Sequence, residues 1–329
     1  MELHTKTFGI YDPETNSIDV DNLCLEAFRT CEAKYWRQIV QGLVPIEDAV
    51  APAFGKALHA GRAAYRGGLV ATDPNVVAGI HVDNKSTFDC CLEEGLKALE
   101  TEWNASMPPE MKTDVMADDR RSLANAKHLF EGYATKYLEH SEPLAVEIVD
   151  GNFLGESPEY GVKVYYHYAQ DELCLFDGKK YTREVKTTSY PPETQLLQFQ
   201  TSAAITGYIW GASQHFGEPI YASIVDLIWV HLEPKKATGK TKPFSDYFKM
   251  DIVHRSTDQI EMWKHNTLVT VDDMVRSHKR NYYRLDQGQA CIRFNKCTYY
   301  NIHSADPSSW DSIIEQGYKV QRWNPYTRS

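Results

Sequence analysis

The sequence predicts an α/β protein: a mixed central sheet flanked by helices, with a helical N-terminal part. Three observations carry that expectation. Apolar residues recur at helical spacing through the first 140 residues, and short stretches rich in Val, Ile, Tyr and Leu, separated by turns, then run from Leu144 to Lys186. A further helical stretch and a near-continuous apolar run follow, the order expected of helices laid across a sheet.

Taken in order, Leu23, Ala27, Cys31 and Tyr35 share one helical face, and Phe54, Leu58, Arg62 and Tyr65 share another. Helices are also expected from Phe88 to Trp103 and from Asp118 to His140, between Pro- or Asn-containing breaks, until Ser141-Glu142-Pro143 ends the run. Asp150-Gly151, Gly155, Gly161 and Asp177-Gly178 then punctuate strands. The last of these is a hairpin signal, because both residues tolerate positive φ between two β-rich arms. Tyr190-Pro191-Pro192 stops the second arm. A helix from about Glu193 to Phe216 precedes a strand from Ile220 to Leu232, whose apolar content predicts burial on both faces. Glu233 to Pro243, with four Lys, reads as a loop. A strand near Tyr247 to Val253 and a helix near Thr257 to Tyr282 lead into a cysteine-containing tail. With no internal repeat and no linker, residues 1–329 are expected to form one domain: a mainly helical part over 1–143, an α/β core over 144–282 and a tail over 283–329.

The 329 residues are 42% hydrophobic and 24% charged with seven Trp, which excludes a disordered chain and supplies a substantial core. No apolar stretch approaches the roughly 20 residues of a membrane helix, so no membrane is expected among the partners. The start of the chain lacks the basic and then apolar regions of a secretory signal, and the expected location is the reducing cytoplasm. Seven cysteines are an odd number, and in that setting they argue for thiols or metal ligation rather than a disulfide framework. A formal charge of -10 weighs against a passive nucleic-acid coat, whose affinity comes from Lys and Arg neutralising phosphates, but leaves room for an enzyme with a local basic groove.

Asp171 and Glu184-Val185-Lys186 fall on the two arms of the predicted hairpin, 13 positions apart for the acids. An acid from one strand then meets an acid and a lysine from its neighbour. Strand alternation places Glu184 and Lys186 on the same face, and two hard carboxylate oxygens suit Mg²⁺ or Mn²⁺. Tyr165 and Asp177 are rival positions for the first acid, but Tyr165 offers no anionic ligand and Asp177 is accounted for by the turn.

The stretch DELCLFDGKKYTREVKTTSY, Asp171 to Tyr190, resembles the motif core of PD-(D/E)XK nucleases of the RecB-like branch. Three other segments match that branch in order: Cys31-Glu32-Ala33-Lys34-Tyr35-Trp36-Arg37 resembles its cysteine-plus-aromatic entry helix, Phe54 to Gly61 its G-x-x-x-H helix, and Ile205 to Trp210 its Tyr-bearing helix. The Gln that the branch usually carries a turn before that Tyr is here Ala204, with Gln198 and Gln200 nearby. The resemblance implies a restriction-endonuclease-like core and a metal-dependent DNA nuclease, acting as an exonuclease at DNA ends or in single strands. It implies Asp171, Glu184, Lys186 and Tyr208 as catalytic residues, and His59, Asp171, Glu184 and the Val185 carbonyl as ligands of Mg²⁺ or Mn²⁺. DNA is then the expected partner, with recombination or replication proteins as further ones. Arg120, Arg121, Lys179, Lys180 and the Lys235 to Lys242 loop are candidates for contacts to its backbone.

Cys291 and Cys297 are followed by His303 in the spacing C-x5-C-x5-H. Several RecB-like nucleases, AddB-type and CRISPR-associated adaptation nucleases among them, hold a 4Fe-4S cluster with one cysteine before the core and three after it. That likeness implies Cys31, Cys291, Cys297 and His303 as cluster ligands; thiolates and an imidazole suit zinc equally well. Cys24, Cys90, Cys91 and Cys174 are expected to be ordinary thiols. Two other readings compete with the nuclease: a nuclease-like fold that binds DNA or protein without turnover, and a zinc-stabilised interaction protein.

Overall fold

The computed structural model describes residues 7–46, 50–72, 85–107, 119–137, 141–231, 244–286, 288–292 and 296–326. In chain order the elements are β1 (Ser17–Val20), α1 (Asn22–Thr30), α2 (Glu32–Tyr35), β2 (Leu43–Pro45), α3 (Val50–Thr72), α4 (Lys85–Ser106), α5 (Leu123–Tyr137), β3 (Glu142–Glu156), β4 (Lys163–Phe176) and β5 (Lys179–Thr188). They continue with α6 (Pro192–Phe199), α7 (Ala203–Phe216), β6 (Ala222–Trp229), β7 (Phe248–His254), α8 (Thr257–Lys279), α9 (Tyr300–Ser304), α10 (Trp310–Gly317) and β8 (Tyr318–Val320). The sheet is mixed, in the order β1-β4-β5-β6-β7 with β3 also pairing β4. The fold is thus α/β with a mixed central sheet flanked by helices. Among the described residues no helix is long and apolar enough to cross a membrane. The lysine-rich loop expected over Glu233 to Pro243 lies outside the described residues.

Two compact units divide the chain: Met1–Glu47, Val149–Ala169 and Ser256–Ser329 form one, and Asp48–Ile148 and Gln170–Arg255 the other. In the first, β1 pairs in parallel with Lys163–Tyr166 of β4. This short strand interrupts the helical run expected at the start. Asp21 caps α1 through the Cys24 N–H at 2.8 Å, and Ser256 and Gln259 form a reciprocal capping box at the start of α8. The turn expected at Asp150-Gly151 is absent, since β3 runs straight through it. Gly151 instead lets the His167 ring approach: a Cβ there would meet its Nδ1 at 2.2 Å.

In the second unit α3, α4 and α5 bury Phe54, Tyr65, Leu99, Trp103, Phe130 and Tyr133 against Val185, Ile228 and Phe248 of the sheet. Each fully buried side chain of this kind contributes about 1.5–3 kcal/mol over its exposed state. The helices α3 and α4 cross closely at two glycines, where a Cβ on Gly95 would meet the Gly61 carbonyl oxygen at 2.9 Å and the Phe130 ring at 2.7 Å. The hairpin signal is realised: Phe176 pairs with Lys179 across Asp177 and Gly178, whose φ values of 48° and 71° make the tight turn. β5 then pairs in parallel with β6, whose residues are buried on both faces up to Trp229. The helix expected over Glu193 to Phe216 is broken at Gln200–Ser202. There Ser202 caps α7, and Arg255 donates to the Phe199 and Ser202 carbonyls at 3.2 and 3.3 Å.

Candidate active site

The β4–β5 ladder runs from the turn as far as Glu172 opposite Arg183 and ends there, while β5 stays paired with β6 through Thr188. Beyond that last rung the two strands fork, and the Val185 N–H donates to the Asp171 Oδ2 at 2.8 Å. The other Asp171 oxygen lies 3.3 Å from the His59 Nδ1 of α3. Glu184 is paired with the ammonium of Lys186, two residues along the same strand face. Asp171 and Glu184 are both buried, and the Glu184 Oε2 is buried with no hydrogen-bond partner. His59, Asp171, Glu184, Val185 and Lys186 are therefore brought together by α3, β4 and β5.

The two carboxyls are pushed apart electrostatically. Burial raises that of Asp171, but His59, Arg62 and Lys186 outweigh it and hold the group well below the usual carboxylate range. Glu184 is raised, first by burial and then by the Asp171 charge, with Lys186 opposing. Two acids at one fork cannot both ionise cheaply unless a cation joins them.

Beneath the fork lies a set of buried charges that the hairpin motif does not announce. The Arg62 Nη2 donates to the Glu172 Oε2 at 2.5 Å, and Arg66 grips both oxygens of the same carboxylate through Nε at 3.0 Å and Nη2 at 2.6 Å. Arg183 bonds the Asp226 Oδ2 at 2.6 Å, and the Tyr133 hydroxyl donates to that same oxygen at 2.5 Å. His59, Arg62 and Arg66 follow one another at i, i+3 and i+7 on α3, so they share one face. The available signal was the placement of two arginines on an otherwise apolar helical stripe.

Tyr208 is half-buried on α7, which packs against β5 and β6. Gln200 sits before α7, at the end of α6, and donates to the Asp251 Oδ2 at 2.7 Å; Gln198 bonds Gln195. Arg121 reaches the Ser189 hydroxyl just past the end of β5, and Lys180 pairs with Glu218.

In the other unit, two of the predicted thiols meet at Asp286: its backbone N–H donates to the Cys31 Sγ at 3.4 Å, and the Cys291 thiol donates to its carbonyl at 3.3 Å. The Cys297 N–H donates to the Cys291 carbonyl at 2.8 Å. Burial pushes the Cys291 thiol up, and Cys297, Cys31 and Asp286 push it further, which places these groups in one neighbourhood. His303 packs edge-on against Trp310, whose ring also carries the Arg37 guanidinium. Its imidazole is lowered by burial first and by Arg37 second. The described cysteines are all free thiols, with Cys24, Cys91 and Cys174 buried and Cys90 exposed.

No family model and no curated protein matches this chain. Among the described residues no three or more His, Cys, Asp or Glu groups are assembled at metal-holding spacing. The fork nevertheless has the donor chemistry of a hard divalent cation: two carboxylates from adjacent strands, one carrying an oxygen that meets no donor, with an imidazole at the other. Cys31, Cys291 and Cys297 lie near Asp286 and one another along the chain's hydrogen bonds without forming a group at metal-holding spacing, and zinc or an iron–sulfur cluster would need a fourth ligand besides.

Proposed function

We propose that the chain is a metal-dependent DNA nuclease with a restriction-endonuclease-like core, hydrolysing phosphodiester bonds at DNA ends or in single strands. The observation that carries this reading is the fork itself, where a buried acid with an unpartnered oxygen faces a second acid already fixed by a backbone N–H, an imidazole and a nearby guanidinium. Asp171, Glu184, His59 and the Val185 carbonyl would hold Mg²⁺ or Mn²⁺. When bound, the cation supplies charge neutralisation at the phosphoryl group and acidity to water.

The chain's own groups divide the remaining work. Lys186, whose side chain is the most exposed of the set at 46%, holds its ammonium against Glu184 and would orient the attacking water there. His59 and the Val185 N–H hold the Asp171 carboxylate ionised and in place, so that charge is pre-arranged rather than recruited. Tyr208 belongs to the site by motif order. Arg121, which lies just before α5 and reaches Ser189 past the end of β5, offers a guanidinium to the DNA backbone. Cys31, Cys291 and Cys297, with His303 as the fourth ligand expected from spacing, are proposed to hold a 4Fe-4S cluster or zinc.

One observation favours a second reading, a nuclease-like module that binds DNA or protein without turnover: Ala204 stands where the branch has Gln, and Gln200 is engaged with Asp251. The test incubates the purified chain with labelled single- and double-stranded DNA, with and without Mn²⁺. The nuclease reading expects Mn²⁺-dependent cleavage that Lys186→Ala abolishes while binding persists; binding with no product under any condition leaves the second reading. For the tail, brown protein from anaerobic purification indicates the cluster, and colourless protein with one zinc per chain indicates zinc.

A further inference from the structure

Each acid of the fork has a buried, oppositely directed neighbour in the chain. Glu172 follows Asp171 and Arg183 precedes Glu184, so strand alternation sends both neighbours to the reverse side of the sheet. They are in register with each other on the last rung before the strands part. On that side Arg62 and Arg66 clamp Glu172, and Asp226 with Tyr133 clamps Arg183. The Arg62 Nη1 also donates to the Asp171 main-chain carbonyl at 3.3 Å. Arg62, Arg66, Glu172, Arg183 and Asp226 are all at most 1% exposed.

Such burial is costly. Charges taken out of water recover their desolvation only with complete partnering, and apolar side chains of the same volume commonly serve stability as well or better. The set is also asymmetric: three guanidiniums accompany the carboxylates of Glu172 and Asp226, an excess of one positive charge behind Asp171 and Glu184. A clamp so placed does something an apolar core cannot, because it ties α3 to β4 at one residue from Asp171 and three from His59.

We propose that Arg62, Arg66 and Glu172 are positioning residues, a bidentate clamp that sets the spacing of α3 and β4 and thereby the approach of His59 to Asp171 at the cation site. The proposal rests on the nuclease reading of the fork. Arg62→Lys keeps the charge but replaces the planar fork, which reaches both Glu172 and the Asp171 carbonyl, with a single ammonium.

The test measures Mn²⁺ affinity by calorimetry and thermal unfolding by circular dichroism on the whole chain, for wild type, Arg62→Lys and Leu129→Ala. Leu129 is a buried core residue on α5 outside the site, so its truncation lowers stability by cavity formation. The expected result is a loss of Mn²⁺ affinity of about 10- to 100-fold in Arg62→Lys, the range seen when a group supporting a metal ligand is removed, with Leu129→Ala destabilised and its affinity unchanged. Should Arg62→Lys not fold, Arg66→Lys is read in the same way. Unchanged affinity in the arginine variant overturns the clamp's positioning role, as does a loss in Leu129→Ala that matches its loss of stability. Wild-type protein that takes up no Mn²⁺ overturns the nuclease reading and this proposal with it, whereas the first two outcomes leave that reading standing.

Discussion

The acidic fork and the cysteine neighbourhood are assembled by different means. At the fork the residues ride on two neighbouring strands: register sets Glu172 opposite Arg183 on the last rung, which leaves Asp171 and Glu184 as the next residues on each side of the opening, and the Val185 N–H then holds the Asp171 carboxylate there. The cysteines ride on α2's leading edge and an irregular tail, and what brings Cys31 and Cys291 together is one residue's backbone, that of Asp286. Sheet register delivers a site whole, whereas an irregular segment delivers it contact by contact. The fork accordingly places His59 beside Asp171 and Lys186 beside Glu184, while His303 is seen packing on Trp310.

The sharpest way to break the comparison is to remove one group from each place. Asp171→Asn keeps the shape and removes the charge that the Val185 N–H, His59 and Arg62 are arranged to hold. DNA cleavage is expected to fall by roughly a thousandfold or more, about 4 kcal/mol of transition-state stabilisation. Cys291→Ser in the same assay is expected to lose bound iron or zinc, measured by atomic emission, with Mn²⁺ affinity at the fork untouched. Equal loss of cleavage and of tail metal in both variants would show that the two places act as one.

A second test asks whether the fork's foundation is as rigid as its register implies. Burial raises the Glu172 carboxyl, but Arg66 and Arg62 prevail and bring it from 4.5 to about 2. A group titrating lower in the folded chain than in the unfolded one contributes fully above pH 4.5 and loses its contribution as pH falls toward 2. Each tenfold gain in acidity on folding corresponds to about 1.4 kcal/mol, so the contribution is on the order of 3 kcal/mol. Glu172→Gln, which leaves two buried guanidiniums facing a neutral amide, is expected to cost about 3–5 kcal/mol at neutral pH. Its unfolding midpoint should also fall less steeply than wild type between pH 5 and pH 3. A mutant curve parallel to wild type through that window would mean that Glu172 is not held ionised by its two arginines.

The hairpin was legible because its signals are local. Asp177-Gly178 demands positive φ, β-rich arms flank it, and a period of two places Glu184 and Lys186 together. The apolar run of β6 predicted its burial on both faces for the same reason. What escaped depends on partners far along the chain. Arg62 and Arg66 are anomalies on an apolar stripe until Glu172 is folded against them, and β1, four residues long, gains its identity only from β4. The break between α6 and α7 is likewise held by Arg255, which no helical periodicity can foresee. Gly151 looked like a turn residue because sequence cannot distinguish a glycine chosen for φ from one chosen for a ring's close approach.

The smallest effect tests the contact-by-contact side of the comparison. Glu32, beside Cys31 in the chain, is buried and accepts from the Ser277 hydroxyl at 2.8 Å, the Arg284 Nε at 2.7 Å and the Arg284 N–H at 3.2 Å. It thereby fastens the segment that leads to Asp286, and the Ala33 N–H bonds the Arg284 carbonyl at 2.9 Å to complete the fastening. Glu32→Gln keeps one acceptor and the side-chain volume. Because Arg284 is largely exposed, the loss of charge is screened, and the expected cost is only about 1 kcal/mol. The informative readout is thiol reactivity, since loosening Arg284 to Asp286 frees the Cys31 sulfur. In protein stripped of tail metal by a chelator, Cys31 should be modified faster by an aromatic disulfide reagent in Glu32→Gln, whereas Glu172→Gln below its unfolding midpoint should leave that rate unchanged. If both variants accelerate it alike, the cysteine neighbourhood is held by the stability of the whole chain and its dependence on single contacts disappears.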